Sequence, residues 1–302
     1  MRGLRGRAAW RELDRRIMRA FYHAAEMTHP KSEATDWSRF EAIFKRPITV
    51  GHRGAPRECP ENSIAGFDRA LALGLDGIEF DVRMSSDGVP VVIHDATLDR
   101  TTTGTGPVDE QNLAMIRSLE IRGATDVDTP LRVPTLDEVL DRYATRAILH
   151  VELKTSAPGD AAFELGRVVG ARLGQSSNAL PSLVMSFEPD ALRGFREAAS
   201  EVELAYLVLA EDLQGTRARE DLLARARDLD AAFVGVPDST ITPDVAAYVH
   251  RWSMQLVTWP NVDDVAIRVG LHSRVERMET DDPQKLLQRL SALPRRRTAR
   301  VN

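Results

Sequence analysis

The stretch Gly77-Ile78-Glu79-Phe80-Asp81-Val82 decides how the chain folds, because it alternates apolar residues with carboxylates. An apolar/polar period of two predicts a β-strand on which Glu79 and Asp81 point to the same face, about 6.6 Å apart along the chain. If that face is the interior of the protein, two carboxylates share a poorly hydrated space. This is costly unless protons or a cation neutralise them. The alternative is a strand whose acids point outward to solvent.

Short β-rich runs alternate with helical stretches on both sides of this strand, from Pro47 onward. Residues 63–73 are a typical helical stretch, with Ser63 as the N-cap and Gly74 just after the end. Repeated β-α units favour a parallel sheet, and eight of them predict a closed (β/α)8 barrel of the TIM type, here over residues 47–290. The eight β-rich runs are residues 48–52, 77–82, 147–153, 182–187, 203–208, 232–236, 255–259 and 274–280.

Three segments depart from the β-α repeat. Residues 95–140 are too long for a plain crossover and rich in Thr, Gly and Asp, which predicts an inserted excursion after the second strand. Residues 1–46 form a basic N-terminal extension, in which apolar residues recur at helical spacing between arginines; this predicts an amphipathic helix. That helix either packs on the outside of the barrel or attaches peripherally to an anionic membrane surface. Residues 291–302 form a basic C-terminal tail.

Composition and charge indicate an ordinary globular protein and argue against a disulfide-linked or nucleic-acid-binding one. With 43% apolar and 28% charged residues, the chain has the composition of an ordinary soluble globular protein. The single cysteine, Cys59, cannot form an intrachain disulfide, and no secretory signal is visible, so we expect a cytoplasmic protein. The net charge of −5 hides arginine-rich ends around an acidic body, which argues against nucleic-acid binding. An anionic substrate therefore needs a local positive site or a metal.

Ionisable residues end several of the β-rich runs, where barrel enzymes carry their catalytic groups. Glu152 and Lys154 have the same two-residue spacing as Glu79 and Asp81. Three carboxylates from neighbouring strands would form a hard oxygen site for one divalent cation, Mg²⁺, Ca²⁺ or Mn²⁺. An ion pair between Glu152 and Lys154 is the competing interpretation for the lysine.

His52 and His94 each follow β-branched residues. Cleavage of a phosphodiester needs one group to take a proton from the nucleophile and another to protonate the leaving oxygen, and imidazole suits both roles near neutral pH. Arg53 offers bidentate hydrogen bonds to phosphate oxygens, and Lys154 offers a point charge. A purely structural role for each histidine is the alternative.

Motifs in a fixed order along the chain resemble the glycerophosphodiester phosphodiesterase family, from about Ile48 to Pro283, including Trp259 and the Thr280-Asp281 ending. They are His52-Arg53-Gly54, Pro60-Glu61-Asn62-Ser63, Gly77-Ile78-Glu79-Phe80-Asp81-Val82, Asp87-Gly88-Val89-Pro90-Val91-Val92-Ile93-His94-Asp95, Leu98-Asp99-Arg100-Thr101-Thr102, Val133-Pro134-Thr135-Leu136 and Val151-Glu152-Leu153-Lys154.

The resemblance implies a TIM-type barrel with a small insertion after the second strand. It implies hydrolysis of a small glycerophosphodiester to glycerol 3-phosphate and an alcohol, through a cyclic phosphate. The implied roles are acid and base for His52 and His94, cation ligands for Glu79, Asp81 and Glu152, phosphate contacts for Arg53 and Lys154, and supporting positions for Glu61, Asn62 and Trp259.

Departures from the family pattern concern the late strands. Met278-Glu279 stands where the family usually has an apolar pair, and Pro260-Asn261 follows Trp259 where Thr-Val-Asn is usual. A Glu279 that faces the pocket would favour a polar or cationic alcohol. Three other functions remain open: a phospholipase D-like activity on lysophospholipids or sphingolipids, a phosphodiesterase for sugar or opine-type diesters, and a non-catalytic barrel that binds a phosphodiester.

Overall fold

Eight parallel strands close a barrel in this computed structural model, which describes residues 46–123, 130–174 and 182–292. The barrel order is β1-β2-β4-β5-β6-β7-β8-β9, and β9 pairs with β1 to complete the ring. The predicted (β/α)8 fold is therefore confirmed. In chain order the strands are β1 Ile48–Gly51, β2 Gly77–Met84, β3 Pro90–Val92, β4 Ile148–Leu153, β5 Leu183–Ser186, β6 Glu203–Leu207, β7 Phe233–Pro237, β8 Gln255–Trp259 and β9 Arg277–Thr280.

Helices pack around the barrel, and the loops in the described part of the chain contain three short 3-10 turns, Val108–Glu110, Ala210–Leu213 and Asp238–Thr240. Within the described ranges, no helix has the length and apolar character needed to span a bilayer. The helices are α1 Ile64–Ala72, α2 Leu113–Ser118, α3 Leu136–Tyr143, α4 Asp160–Leu173, α5 Pro189–Ala198, α6 Thr216–Asp228, α7 Pro243–Arg251, α8 Asp264–His272 and α9 Pro283–Ser291.

Boundaries differ from the sequence prediction in a few places. Ser63 caps α1 as expected, since its hydroxyl accepts a hydrogen bond from the amide of Gly66. The last strand begins at Arg277 and not at Arg274, because Arg274 has a φ of 59° and Val275 still donates its amide to the carbonyl of Gly270. The predicted N-terminal amphipathic helix and most of the basic C-terminal tail lie outside the described residues.

The short strand β3 was not among the predicted barrel strands. It pairs antiparallel with the upper part of β2, with Val92 opposite Val82, and Gly88 in the connecting turn has a φ of 76°. The hairpin reverses the chain, and Ile93 donates its amide to the carbonyl of Asp81. His94 therefore reaches the barrel mouth from a hairpin, and not from the end of a barrel strand.

The segment between β2 and α3 has a small apolar core of its own, separate from the core between barrel and helices. The segment ends at Thr135, whose side chain caps α3 in a capping box with Glu138. The excursion expected over residues 95–140 thus begins earlier, with the β3 hairpin, and ends earlier, because α3 is a barrel helix. Its core residues are Val91, Ile93, Leu98, Val108, Ile116, Leu119, Ile121 and Val133.

The register of β2 decides what the barrel encloses. Phe80 packs against Phe67 of α1, with ring centroids 5.9 Å apart, so it faces the helices. Its neighbours Glu79 and Asp81 are buried on the opposite face, inside the barrel. On β4 their register partners are His150 and Glu152, which share that interior face.

The interior is divided into two halves. Strands β9, β2 and β4 carry buried ionisable side chains and, with β1 between β9 and β2, form an acidic half, whereas β5 to β8 form an apolar half. The apolar half consists of Leu183, Met185, Ala205, Leu207, Phe233 and Val257, with Phe187, Ala232 and Trp259 packed against them. A substrate at the mouth therefore meets charge on one side and apolar surface on the other.

Helices α4 and α5 pack closely against each other outside the barrel, and this close packing depends on two glycines. A Cβ at Gly166 would lie 1.9 Å from the carbonyl oxygen of Ala191, and one at Gly194 would lie 2.0 Å from that of Phe163. Both obstacles are backbone atoms, which cannot rotate away.

Gly166→Ala should lower the free energy of unfolding by about 1–3 kcal/mol, because the new methyl group forces the two helices apart. Urea unfolding followed by circular dichroism measures the change. Glu164→Ala, an exposed substitution on the same helix, should stay within about 0.5 kcal/mol of the parent. Equal stability of both variants would contradict the packing described for α4 and α5.

Candidate active site

Three carboxylates meet at the carboxyl end of the acidic half. Glu79 and Asp81 come from β2 and Glu152 from β4, and one oxygen from each lies within 4.8 Å of the others. The side chains of Glu79 and Asp81 are fully buried, and Glu152 is 6% exposed as a residue. Since β2 and β4 are neighbours with Asp81 opposite Glu152, the two-residue spacing in the sequence brings all three acids together.

The carboxylates differ in how strongly they hold a proton. Burial, and then the charge of Asp81, raises the pKa of Glu79 well above its ordinary value. Burial also raises the pKa of Glu152. Burial alone would raise the pKa of Asp81 too, but Lys154 and Arg53 outweigh it and lower that pKa to about 2.

Two cations partly neutralise the cluster. Lys154 Nζ lies 2.7 Å from Glu152 Oε1 and 3.5 Å from Asp81 Oδ1, and Arg53 Nε lies 3.4 Å from Asp81 Oδ2. The ion pair expected between Lys154 and Glu152 is thus present. Among the described residues, Glu79 Oε1 has no hydrogen-bond or ion-pair partner, and Asp81 Oδ1 has only the 3.5 Å contact with Lys154. Unpartnered carboxylate oxygens in a dry, oxygen-only cluster are what a hard divalent cation requires, so these residues fit such an ion.

Two backbone positions with positive φ hold the acids in place. Arg53 has a φ of 56° and donates its backbone amide to Glu79 Oε2 at 2.7 Å. Asn62 has a φ of 54°; its side-chain amide donates to Asp81 Oδ2 at 2.7 Å, and its side-chain oxygen accepts from the Asp81 amide. Because Asn62 also donates its backbone amide to the carbonyl of Arg53, the two ends of the loop between β1 and α1 are joined.

His52 and His94 each have a carboxylate behind the ring. His52 Nδ1 lies 2.7 Å from Asp281 Oδ1, and its Nε2 lies 4.0 Å from Glu79 Oε2. His94 Nδ1 lies 2.7 Å from Asp95 Oδ1. A carboxylate at Nδ1 holds the proton on that nitrogen, which leaves Nε2 of each ring free for chemistry. Burial is the largest influence on His94 and lowers its pKa.

Glu61 connects the loop that carries Arg53 with the residues around His94. It accepts hydrogen bonds from Arg53 and, at 2.7 and 2.8 Å, from Arg100, which in turn donates to both oxygens of Asp95. Asp95, Arg100 and the histidine partner Asp281 lie within the motifs that carry the family resemblance, but the sequence alone assigned them no role. Their positions were the available signal: an acid directly after His94, an arginine five residues after that acid, and an acid directly after the last strand.

Trp259 lies at the end of β8, on the apolar side of the mouth. Its ring meets Phe187 edge to face, with centroids 5.9 Å apart. Lys154 Nζ lies 5.9 Å from the centre of the Phe187 ring. The lysine therefore stands between the carboxylates and an aromatic wall.

Residues 52–285 match the sequence profile of the glycerophosphoryl diester phosphodiesterase family. The chain belongs to this family. Among its relatives, the glycerophosphodiester phosphodiesterase of Bacillus subtilis is 40% identical over 119 residues, which is 36% of this chain and 41% of that protein. Another Bacillus subtilis protein, YhdW, named as a candidate for the same activity, is 38% identical over 162 residues, 52% of this chain and 64% of YhdW. The chain thus spans less than two thirds of the length of these curated relatives.

Solved structures of glycerophosphodiester phosphodiesterases share the barrel. One from Agrobacterium tumefaciens is 28% identical, with a TM-score of 0.62 over 80% of this chain and 100% of that chain. A phosphodiesterase from Oleispira antarctica, solved in complex with the product sn-glycerol-3-phosphate, is 26% identical, with a TM-score of 0.71 over 82% of this chain and 97% of that chain. The resemblance stated from the motifs is confirmed at the level of the family.

Glu279 departs from the family pattern but does not line the mouth. It is 2% exposed, and its Oε1 lies 2.6 Å from Nδ1 of His150 inside the barrel. Arg277 lies 3.2 Å from Nε2 of the same ring. Because arginine only donates, Nε2 accepts and Nδ1–H donates to Glu279. The carboxylate is already bonded inside the barrel, so the expectation that it selects a polar or cationic alcohol is not supported.

Binding of Mg²⁺ by this family member should release protons and should tighten as pH rises. Because the pKa of Glu79 is raised, the metal-free carboxyl keeps its proton to a higher pH than an ordinary glutamate. Where it is protonated the cation must displace that proton, so affinity falls as pH falls through that pKa. Calorimetric titration in two buffers of different ionisation enthalpy counts the protons. Glu79→Gln should lose the proton release, and Glu164→Gln, at an exposed position on α4, should keep it. Affinity that is independent of pH, with no proton release, would contradict a retained proton on Glu79, and unchanged affinity in Glu79→Gln would remove Glu79 from the cation site.

Proposed function

We propose that this protein hydrolyses glycerophosphodiesters to glycerol 3-phosphate and an alcohol with the help of one divalent cation. The observation that carries the proposal is the buried cluster of Glu79, Asp81 and Glu152 with two cationic and two imidazole side chains at its edge. Family membership and the glycerol 3-phosphate complex of the Oleispira antarctica relative support the substrate class.

The three carboxylates would hold the cation, and Mg²⁺, Ca²⁺ and Mn²⁺ all suit an oxygen-only site. When bound, such an ion supplies positive charge that stabilises the negative charge on phosphate oxygens in the transition state. Arg53 and Lys154 would contact the remaining phosphate oxygens. Burial alone would lower the pKa of each, but their carboxylate neighbours outweigh it and raise both, so both stay charged.

The two histidines would share the proton transfers. His94, whose lowered pKa favours the neutral ring, would take the proton from the neighbouring glycerol hydroxyl as that oxygen attacks phosphorus. His52, oriented by Asp281, would give a proton to the leaving alkoxide. The bond from phosphorus to the alcohol oxygen breaks, and a cyclic glycerol phosphate and a free alcohol form.

Water would then open the cyclic phosphate with the roles reversed. His52 takes a proton from water, the water oxygen attacks phosphorus, and His94 returns its proton to the glycerol oxygen whose bond to phosphorus breaks. The net reaction is addition of one water molecule to the diester. Glu61 and Asn62 hold the surrounding side chains, and Trp259 with Phe187 would form the apolar wall beside the substrate.

The phospholipase D-like alternative is supported in part by the basic N-terminal segment, which lies outside the described residues, so it remains a prediction. The cytoplasmic location, the peripheral membrane contact and the boundaries of residues 1–46 and 291–302 likewise stay predictions.

Glycerophosphoglycerol should be converted to glycerol 3-phosphate by the purified protein, as followed by phosphorus NMR. Treatment with EDTA should stop the reaction, and added Mg²⁺ or Ca²⁺ should restore it. A matched diester without the neighbouring glycerol hydroxyl should remain intact, because it cannot form the cyclic phosphate.

Each part of the proposal has its own contrary outcome. Undiminished turnover in metal-free protein would remove the cation, and cleavage of the hydroxyl-free diester would remove the cyclic phosphate. Binding of diesters without turnover would favour a non-catalytic phosphodiester-binding barrel.

His52→Ala and His94→Ala should each lower turnover by about 10²-fold or more, because each removes one proton-transfer group. Initial rates at saturating substrate measure the loss, and circular dichroism checks the fold. The matched control is His272→Ala, on α8, where the ring bonds to the carbonyl of Arg268. A near-parental rate in either of the first two variants would overturn the acid and base assignment.

A further inference from the structure

Arg83 is a cation at the barrel mouth that the proposed reaction does not use. It lies on β2, two residues beyond Asp81, and therefore on the same face of the strand. Its Nε donates to the carbonyl of His94 at 2.8 Å, and its Nη1 donates to Ser156 Oγ at 3.4 Å. Within the described part of the chain its guanidinium has no ion-pair partner, whereas Arg53, Arg100 and Lys154 all have one.

The charge of Arg83 is therefore less compensated than that of its neighbours. Burial lowers the pKa of Arg83 despite surrounding acids, whereas for Arg53 the acids prevail and the pKa is raised. A guanidinium carries five N–H donors and stays protonated. Two of the five are engaged by described residues, and the remaining three suit a carboxylate, which accepts two parallel hydrogen bonds.

A cavity of about 90 Å³ opens beside this guanidinium, between the barrel mouth, the inserted segment and the start of α4. Its lining includes the polar side chains of Arg83, Lys154 and Ser156, together with Ala161 and Leu165 of α4. Since a water needs about 10–15 Å³ of such space, the cavity has room for several waters or for a small ionic group. Lys154 also contacts Glu152, so the cavity adjoins the proposed phosphate site.

We infer that this cavity is a subsite for a carboxylate on the alcohol portion of the diester, bound by Arg83. The inference rests on the proposed function for the position of the phosphate. Asp109, exposed on the cavity wall, adds a negative charge, which favours a single carboxylate over a second phosphate. The cationic wall also opposes an alcohol whose only charge is positive. The substrate class is therefore a glycerophosphodiester of a hydroxy acid or amino hydroxy acid.

Glycerophosphoserine and glycerophosphoethanolamine test this subsite, because they differ only by one carboxylate. The parent protein should favour the serine diester in kcat/KM by about tenfold or more, mainly through KM, as expected for a charged hydrogen bond. Arg83→Gln should bring the ratio of the two kcat/KM values to about one. Loss of the hydrogen bond from Arg83 to the carbonyl of His94 would change the rates for both diesters alike and leave this ratio unaffected. Arg167→Gln, an exposed arginine on α4, should keep the parental ratio.

A parental ratio near one, or a preference that survives in Arg83→Gln, would overturn the subsite. If neither diester is cleaved, binding separates the two proposals. O-phosphoserine and O-phosphoethanolamine are then titrated into the protein by calorimetry in MgCl₂. Phosphoserine bound at least about fivefold tighter, with the difference lost in Arg83→Gln, would support the subsite while the hydrolase proposal fails. Equal or absent binding of the two compounds would reject the subsite.

Discussion

The mutual repulsion of Glu79, Asp81 and Glu152 is the constraint around which the site is organised. At the observed limit of 4.8 Å, two unit charges in surroundings of effective dielectric constant near 20 repel by about 3.5 kcal/mol. The chain opposes this cost with Lys154 and Arg53, but among the described residues Glu79 Oε1 has no partner and Asp81 Oδ1 has only the longer contact with Lys154. A retained proton on Glu79 or a bound cation would neutralise the negative charge that remains.

The division of the barrel interior follows from the same constraint. The buried acids lie on β9, β2 and β4, with Arg53 in the loop after β1 and Lys154 directly after β4, and β5 to β8 supply an apolar wall that ends in Trp259 and Phe187. The β3 hairpin completes the mouth, because it reverses the chain and returns His94 to the level of Asp81. The two imidazoles therefore come from different parts of the fold, and each is oriented by a carboxylate nearby in space.

Much of this arrangement could be predicted from local sequence pattern. Period-two alternation in β2 and the repeated β-α units predicted the barrel and the meeting of Glu79, Asp81 and Glu152, since those depend on strand register alone. The partnership of His52 with Asp281 could not be predicted, because it spans 229 residues and depends on closure of β9 onto β1. The same applies to the bond between His150 and Glu279. The β-branched run before His94 was recognised, but its antiparallel pairing with β2 as strand β3 could not be predicted, because three residues beside a turn have too little periodicity.

The most direct test of the account is anomalous diffraction from crystals grown with Mn²⁺. The account predicts one strong peak within about 2.0–2.6 Å of oxygens from Glu79, Asp81 and Glu152, at the carboxyl end of β2 and β4. The account would be contradicted by a peak that forms elsewhere. It would also be contradicted if the cluster stays without metal at saturating Mn²⁺, with Lys154 and Arg53 alone balancing the acids.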